Sequence, residues 1–473
     1  MDTATRAGSW SPALLDELAR VTRLRVDRGV RARHVAASDW GGIVVGAPAA
    51  VIRPRRVEEV AQTVLLAAEH SVKLTLRGTG ASSGGQSVAG GWVTLDMTGL
   101  DDVSVDPDSR TVSCGPGATW RSVLARTLPH GLQPVVMPLH LDLTLGGSLA
   151  TGCFGAVGHR FGVAAGHVAE LEVVTGAGAV LRCSRDLHAR LFDGVRGGLG
   201  HCGAITRAVL NLRPAPPFVE VSRLRAGDGA SWVATIDDLG TALGADETVH
   251  VSHIEGLCRA EDGRVVYDVH VGREHGDEPA ALPDAYRGTA RLIDRQDQGF
   301  AQHANRFDAR FDDMVSSGHT AEGHPWLECL LSPDALSAVL ADVLAGIAGD
   351  EADVVKVFPV RREGLPPLVV SPPAEMLMCL VVAPRGIPAA ELPRALEAMA
   401  RVDRLLADAG GKRYLAGWLP AADEQAWERH FGPAYAGWLA ARREYDPSGT
   451  FTSALFAGAR GVAPPGDSEG AVC

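Results

Sequence analysis

Three glycine-rich segments hold the residues best suited to chemistry: Arg77-Gly78-Thr79-Gly80-Ala81-Ser82-Ser83-Gly84-Gly85-Gln86-Ser87, Thr144-Leu145-Gly146-Gly147-Ser148-Leu149-Ala150-Thr151-Gly152, and Gly197-Gly198-Leu199-Gly200-His201-Cys202-Gly203. Glycine permits positive φ and close backbone approach, so successive N–H groups in such loops converge on phosphate oxygens. The same loops also serve as plain turns, and glycine spacing alone leaves both readings open. None ends in the Gly-Lys-Ser/Thr of a Walker A loop, and the first is not a Gly-x-Gly-x-x-Gly turn opening a helix. Just before the second segment stand His140 and Asp142. In extended chain, side chains two apart share a face, which would put these two together and opposite Leu139 and Leu141. An imidazole held by a carboxylate is a general base that titrates near neutral pH. The alternative is that His140 packs and Asp142 bonds the backbone.

Composition sets bounds on that chemistry. The chain has 473 residues, 46% hydrophobic and 22% charged, which is the mixture of a folded protein of two or three packed units. Its 45 basic and 57 acidic residues leave a net charge of −12, against nucleic-acid binding, which needs a basic face. Only three of the basic residues are lysine (Lys73, Lys356, Lys412), a high-GC coding bias. The N-terminal residues lack the basic start and apolar stretch of a signal peptide, and no segment reaches the roughly 18 apolar residues of a membrane span. A cytoplasmic protein without membrane partner is expected. Eight cysteines are scattered without a Cys-x-x-Cys pair or clustering with histidine, so reduced, packing cysteines and no metal site are expected.

The elements that must position the glycine loops follow from periodicity. Ser11 to Val21 carries Leu14, Leu15 and Leu18 at helical spacing. Ala50 to Arg53 reads as extended, Val57 to His70 as a helix with Val60, Val64 and Ala67 in one stripe, and Val72 to Leu76 and Trp92 to Met97 as strands either side of the first loop. Val173 to Leu181 is a hairpin signal around Gly176 and Gly178. Pro214-Ala215-Pro216-Pro217 marks a boundary. Beyond it, β-like runs (Val265 to Val271, Met376 to Val382) alternate with helical ones (Pro333 to Ile347, Ala389 to Ala407), the third of these opened by Ser332 as a capping hydroxyl before a proline. The chain closes with a turn, Asp446 to Phe451, and a loose Pro/Gly-rich tail.

Taken in order, the loops resemble the FAD-linked oxidase superfamily of the vanillyl-alcohol oxidase type, and above all the cytokinin dehydrogenases. The resemblance begins at Asp39-Trp40-Gly41-Gly42 and Ala49-Ala50-Val51. It continues through the first loop, Leu143 to Leu149, Arg160-Phe161-Gly162, Leu171 to Gly176, Asp186-Leu187, Leu191-Phe192 and Gly197 to Ala208. After a weaker middle it returns at Gly411 to Leu415 and Glu444 to Pro447. It implies an α+β chain: a two-part PCMH-type FAD-binding domain over 1–215 (core about 45–215), a cap domain with an antiparallel sheet flanked by helices over 216–425, and a segment over 426–473 returning to the FAD domain. Carried over by position, Gly78, Thr79, Gly80, Ala81, Ser82 and Gln86 would form the pyrophosphate loop. Leu139, Thr144, Gly146, Gly147, Ser148 and Phe154 would lie along the cofactor, Ala204 or Ile205 at the adenine end, and Tyr414 and Thr452 would close from the C-terminal part.

The departures matter as much. Where those dehydrogenases bond the flavin through a histidine, this chain has Ala81, and their catalytic aspartate falls on Leu139. Their C-terminal Pro-Gly-Gln becomes Ser453-Ala454-Leu455. FAD is therefore expected without a covalent bond, with His140 and Asp142 as the candidate catalytic pair. His159 is expected behind the cavity wall or at the surface, Cys153 as a small filler, and His201 and Cys202 as packing. The expected activity is FAD-dependent removal of hydride from a C–H next to nitrogen or oxygen of a small molecule, with oxygen or another compound as electron acceptor. A tailoring step on a bacterial natural product fits the altered site. The alternative is a flavoprotein that catalyses a non-redox cyclisation or isomerisation with FAD as a structural element.

Overall fold

The computed structural model describes residues 8–246, 248–261, 264–282, 284–347, 354–384, 386–420 and 423–456. The Pro/Gly-rich tail, with Cys473, lies outside them. Local chemistry sets the first elements. Ser11 accepts the N–H of Leu14 at 3.2 Å and Pro12 occupies the first turn, so a helix runs Pro12–Thr22 and buries Leu14, Leu15 and Leu18. The helix Val57–Glu69 starts where the Glu59 carboxylate accepts the N–H groups of Arg55 (2.7 Å) and Arg56 (3.2 Å). These helices cover a three-stranded parallel sheet, with Val93–Asp96 between Ala50–Ile52 and Leu74–Arg77.

A second sheet is antiparallel and six-stranded. Its order is Val103–Asp106, Thr111–Cys114, Ala204–Pro214, Val168–Val174 and Val180–Cys183, with Leu132–Pro134 paired to the far end of the long central strand. The hairpin expected near Gly176 is the turn between Val168–Val174 and Val180–Cys183. The last helices, Glu424–Phe431 and Ala434–Tyr445, pack Trp427, Phe431 and Trp438 into the core of this sheet.

The third sheet has eight strands, all antiparallel, in the order Ala290–Gly299, Phe218–Ala226, Arg264–His275, Val251–Glu261, Val354–Arg361, Met376–Ala383, Leu327–Leu331 and Lys412–Arg413. Side chains on a strand alternate between faces. Leu327, Cys329 and Leu331 thus join one core with Leu336, Leu340, Met399 and Val402 of the helices Pro333–Gly346 and Leu392–Asp408. Leu330, Phe358, Cys379 and Val381 form a second cluster that packs on Leu139 and Phe154 of the first half. Each fully buried Leu or Val contributes roughly 1.5–3 kcal/mol, so both faces are held by burial. The class is α+β, as the sequence pattern implies. Among the described residues no helix is long and apolar enough to cross a membrane.

Candidate functional site

Between the apolar face of the eight-stranded sheet and the first half lies a cavity of about 320 Å³. The strand Leu74–Arg77 delivers the first glycine loop to its wall, and Gly78, Thr79, Gly80, Ala81, Ser82 and Gln86 all line it. The loop is clamped from behind by Asp39 to Gly41. Trp40 donates its N–H to the Gly80 carbonyl (2.7 Å) and Gly41 to that of Ser82 (3.0 Å). One Asp39 oxygen accepts from the Ser82 hydroxyl (3.0 Å) and the Gly85 N–H (2.8 Å). Burial pushes the Asp39 carboxyl up to about 7, against the lowering effect of these bonds and of Arg77. Gln86 ties the loop to the C-terminal segment, its amide donating to the carbonyls of Leu415 (2.7 Å) and Gly417 (2.9 Å).

Two loops meet here at backbone distance. A Cβ added to Gly78 would stand 2.0 Å from the Thr144 hydroxyl oxygen, so only glycine fits against the start of the helix Leu145–Thr151. Thr144, Gly146, Gly147 and Ser148 line the same wall, and Ser148 is held by the Trp120 indole N–H at 2.9 Å. The N–H groups of Thr79, Gly80, Ala81, Ser82 and Gly147 have no hydrogen-bond partner among the described residues. Consecutive free N–H groups on a concave wall suit a phosphate-bearing group, and the two loops fit the pyrophosphate of FAD.

Further along, Tyr414 stands beside Phe154, with ring centroids 4.6 Å apart. Its hydroxyl pairs with that of Thr151 (2.9 Å) and accepts the Cys153 N–H (3.1 Å). Burial holds the Tyr414 hydroxyl well above its ordinary range and pushes the Cys153 thiol up to about 12, so neither is ionised near neutral pH. Leu139, Phe154 and Ile205 also line the cavity.

Three expectations need correction. Ala204 is fully buried behind the wall in the core of the parallel sheet, and Ile205 alone of that pair reaches the cavity, because adjacent strand residues face opposite ways. Thr452 does not line it either: its N–H bonds the Leu74 carbonyl (2.9 Å) and its carbonyl accepts from Thr75 (2.8 Å), so it pins the C-terminal segment to the sheet. The pairing of His140 with Asp142 is not formed. Residues 139–143 are turn and loop rather than strand. The Asp142 carboxylate forks onto Arg121 (2.6 and 2.9 Å) outside the cavity lining, and Arg121 also holds Asp308 and Asn305.

His140 does line the cavity. Its ring lies 3.9 Å from that of Phe311 and its Nδ1 is buried without a partner. Burial lowers its pKa, outweighing the nearby Asp142, so the imidazole is neutral at pH 7. His159 is fully buried and outside the cavity lining, and His201 packs 4.2 Å from Phe456. The seven described cysteines are free and buried.

The sequence reading missed the cap-side residues. Phe311, Trp326 and Phe358 wall the cavity opposite Trp40 of the first half, with Glu328, Lys356 and Arg310 as charged groups. The signal was present: Glu328 interrupts Leu327-Glu328-Cys329-Leu330-Leu331, and Lys356 interrupts Val354-Val355-Lys356-Val357-Phe358. A lone charge inside an apolar strand run either faces a cavity or finds a buried partner.

A family model described as an FAD binding domain matches residues 48–184, and one described as cytokinin dehydrogenase 1, FAD and cytokinin binding, matches residues 286–454. The uncharacterized oxidoreductase ORF5 of the fasciation locus of Rhodococcoides fascians is 28% identical, over 87% of this chain and 94% of its own. Cytokinin dehydrogenase 7 of Oryza sativa subsp. japonica is 28% identical, over 92% of this chain and 91% of its own. Cytokinin dehydrogenase 5 of Arabidopsis thaliana is 26% identical, over 85% and 82% respectively. Loops with free N–H groups, a cavity and an apolar cap sheet thus define an FAD-dependent oxidoreductase. The chain is similar to the FAD-linked oxidase family over both matched regions and is cytokinin dehydrogenase-like.

Proposed function

We propose that the protein oxidises a small molecule at a C–H next to nitrogen or oxygen. The observation that supports this most is the continuity of one cavity from the loop at 78–83 to the cap-sheet residues Phe358, Cys379 and Val381, which leaves room for a donor between cofactor site and cap. FAD, when bound, supplies the hydride acceptor. The chain's own residues do the rest. Thr79 to Ser82 and Gly147 offer N–H groups to the pyrophosphate, Tyr414 and Phe154 bound the far part of the wall, and Trp40, Phe311 and Trp326 keep water out. His140 serves as a neutral aromatic wall, and Asp142 serves Arg121.

The relatives named cytokinin dehydrogenases make a cytokinin one probe for this site. Leu139 and Ala81, where those enzymes place a base and a flavin-linking histidine, favour a different donor, and a bacterial natural product fits. FAD is held without a covalent bond, the electron acceptor is oxygen or another compound, and the work takes place in the cytoplasm. The domain division at about 215 and 425 is part of the same reading. The same Leu139 favours a second reading, a non-redox cyclisation or isomerisation over a structural FAD. Anaerobic mixing of the yellow holoprotein with a panel of donors (a cytokinin, benzylamine, benzyl alcohol) separates them. Bleaching of the flavin band supports oxidation. Turnover of any compound with the band unchanged overturns it in favour of the second reading.

A further inference from the structure

We propose that Glu328 is the catalytic base of this site, taking the proton from the donor's N–H or O–H as the neighbouring C–H gives up hydride. This rests on the oxidative reading above. Glu328 is the one carboxylate among the described residues that line the cavity. In the ladder it pairs with Val381, which in turn pairs with Lys356 on the next strand, so all three face the same way across adjacent strands. At 4.7–4.9 Å between strands the two charged residues are roughly 10 Å apart along the cap wall. The surrounding cluster of Leu330, Phe358, Cys379 and Val381 packs on Leu139, a residue with no proton-accepting group. A carboxylate thus enters from the cap side beside the position where the first half has none.

The other titratable groups of the wall are less suited. Lys356 is ion-paired to Glu255 at 2.8 Å and sits over the Phe307 ring. Cys153, Cys379 and Tyr414 are all held in their neutral forms by burial. The His140 Nδ1 has no partner among the described residues and its ring packs at a tilt against Phe311. No hydrogen bond or ion pair occupies the Glu328 carboxylate among the described residues. Burial raises its pKa to about 7, with Arg413 opposing, and the charged or titratable groups acting around it are Arg413, Tyr414, Cys153 and Cys379. A base works best when its pKa lies near the operating pH.

The step balances as follows. The donor C–H bond breaks and its electron pair leaves with the hydrogen as hydride to oxidised FAD. The N–H or O–H bond breaks, its electron pair becomes the second bond of the C=N or C=O product, and its proton goes to the Glu328 carboxylate. The donor loses two electrons and the cofactor gains them.

The test uses wild-type holoprotein, Glu328→Gln, Glu328→Asp and His140→Ala. Without any donor, the flavin's visible absorption is followed against pH. The wild type and His140→Ala should show one proton step near pH 7, and Glu328→Gln none. With benzylamine, benzyl alcohol or a cytokinin, whichever bleaches the wild type, anaerobic reduction should slow by about 10²–10⁴-fold in Glu328→Gln. FAD content and reduction by dithionite should be unchanged, and Glu328→Asp should recover part of the rate. A step that survives in Glu328→Gln, or donor reduction at the wild-type rate, overturns the proposal. A wild type that no donor bleaches while it turns one of them over, with the pH step intact, overturns the oxidative reading itself and removes the base role with it.

Discussion

At the scale of single residues, the site is decided by which atoms are absent and which charges are buried. Gly78 carries no Cβ where Thr144 stands, and replacing it with alanine would force the two loops apart by more than a flexible side chain can absorb. Gly78→Ala should therefore fold with its far-ultraviolet circular dichroism intact but purify with most of its FAD lost, read as the ratio of visible to protein absorption. Asp39 leads to a pH effect. Its folded pKa of about 7 lies above the ordinary 3.8, so between these values the folded state holds a proton that the unfolded chain has released. Stability then falls as pH rises through that window and is lowest above it. At roughly 1.4 kcal/mol per unit the full effect is about 4 kcal/mol. The thermal midpoint should decline from pH 5 toward pH 8, and Asp39→Asn should lessen the decline, leaving the part contributed by Glu328, which burial likewise raises to about 7. An unchanged slope in the variant would show that other groups set it.

Alternation along the cap strands separates stability from chemistry at the scale of elements. Leu327 and Glu328 are adjacent on one strand, yet Leu327 is fully buried against the helices while Glu328 faces the cavity. Leu327→Ala should cost about 2–5 kcal/mol in denaturant unfolding and leave the flavin spectrum unchanged. Glu328→Gln should do the reverse. The elements themselves were largely legible: the helices opened by Ser11 and Ser332 start where their capping hydroxyls predict, Pro12–Thr22 and Pro333–Gly346. The segment 139–143 was not legible. Its alternating apolar and polar residues read as a strand, but Arg121 draws Asp142 outward, and one guanidinium with three partners outweighs a local extended preference. That contact depends on Asn305 and Asp308, more than 160 residues away in sequence.

For the molecule as a whole, the cofactor's attachment is the sharpest expectation. Ala81 has no nucleophile, the Cys153 thiol is held neutral, and the His140 ring is packed against Phe311. Acid precipitation should release the flavin into the supernatant, as FAD on chromatography, and yellow retained in the washed pellet would refute this. The glycine loops, their order and the alternation of apolar residues in the strands were written in the sequence, because backbone conformation and strand periodicity are local properties. They sufficed for the α+β class, the family and the FAD loops. Which carboxylate faces the cavity was settled only by the tertiary structure. Glu328 is brought to the same cavity as Leu139 by the packing of the cap sheet on the first half, across almost 190 residues of chain, and Asp142 is held away from the site by Arg121, which also pairs with the distant Asp308. Burial and pairing are set by neighbours distant in sequence, and it is burial that turns one glutamate among many into a group able to hold a proton near neutral pH.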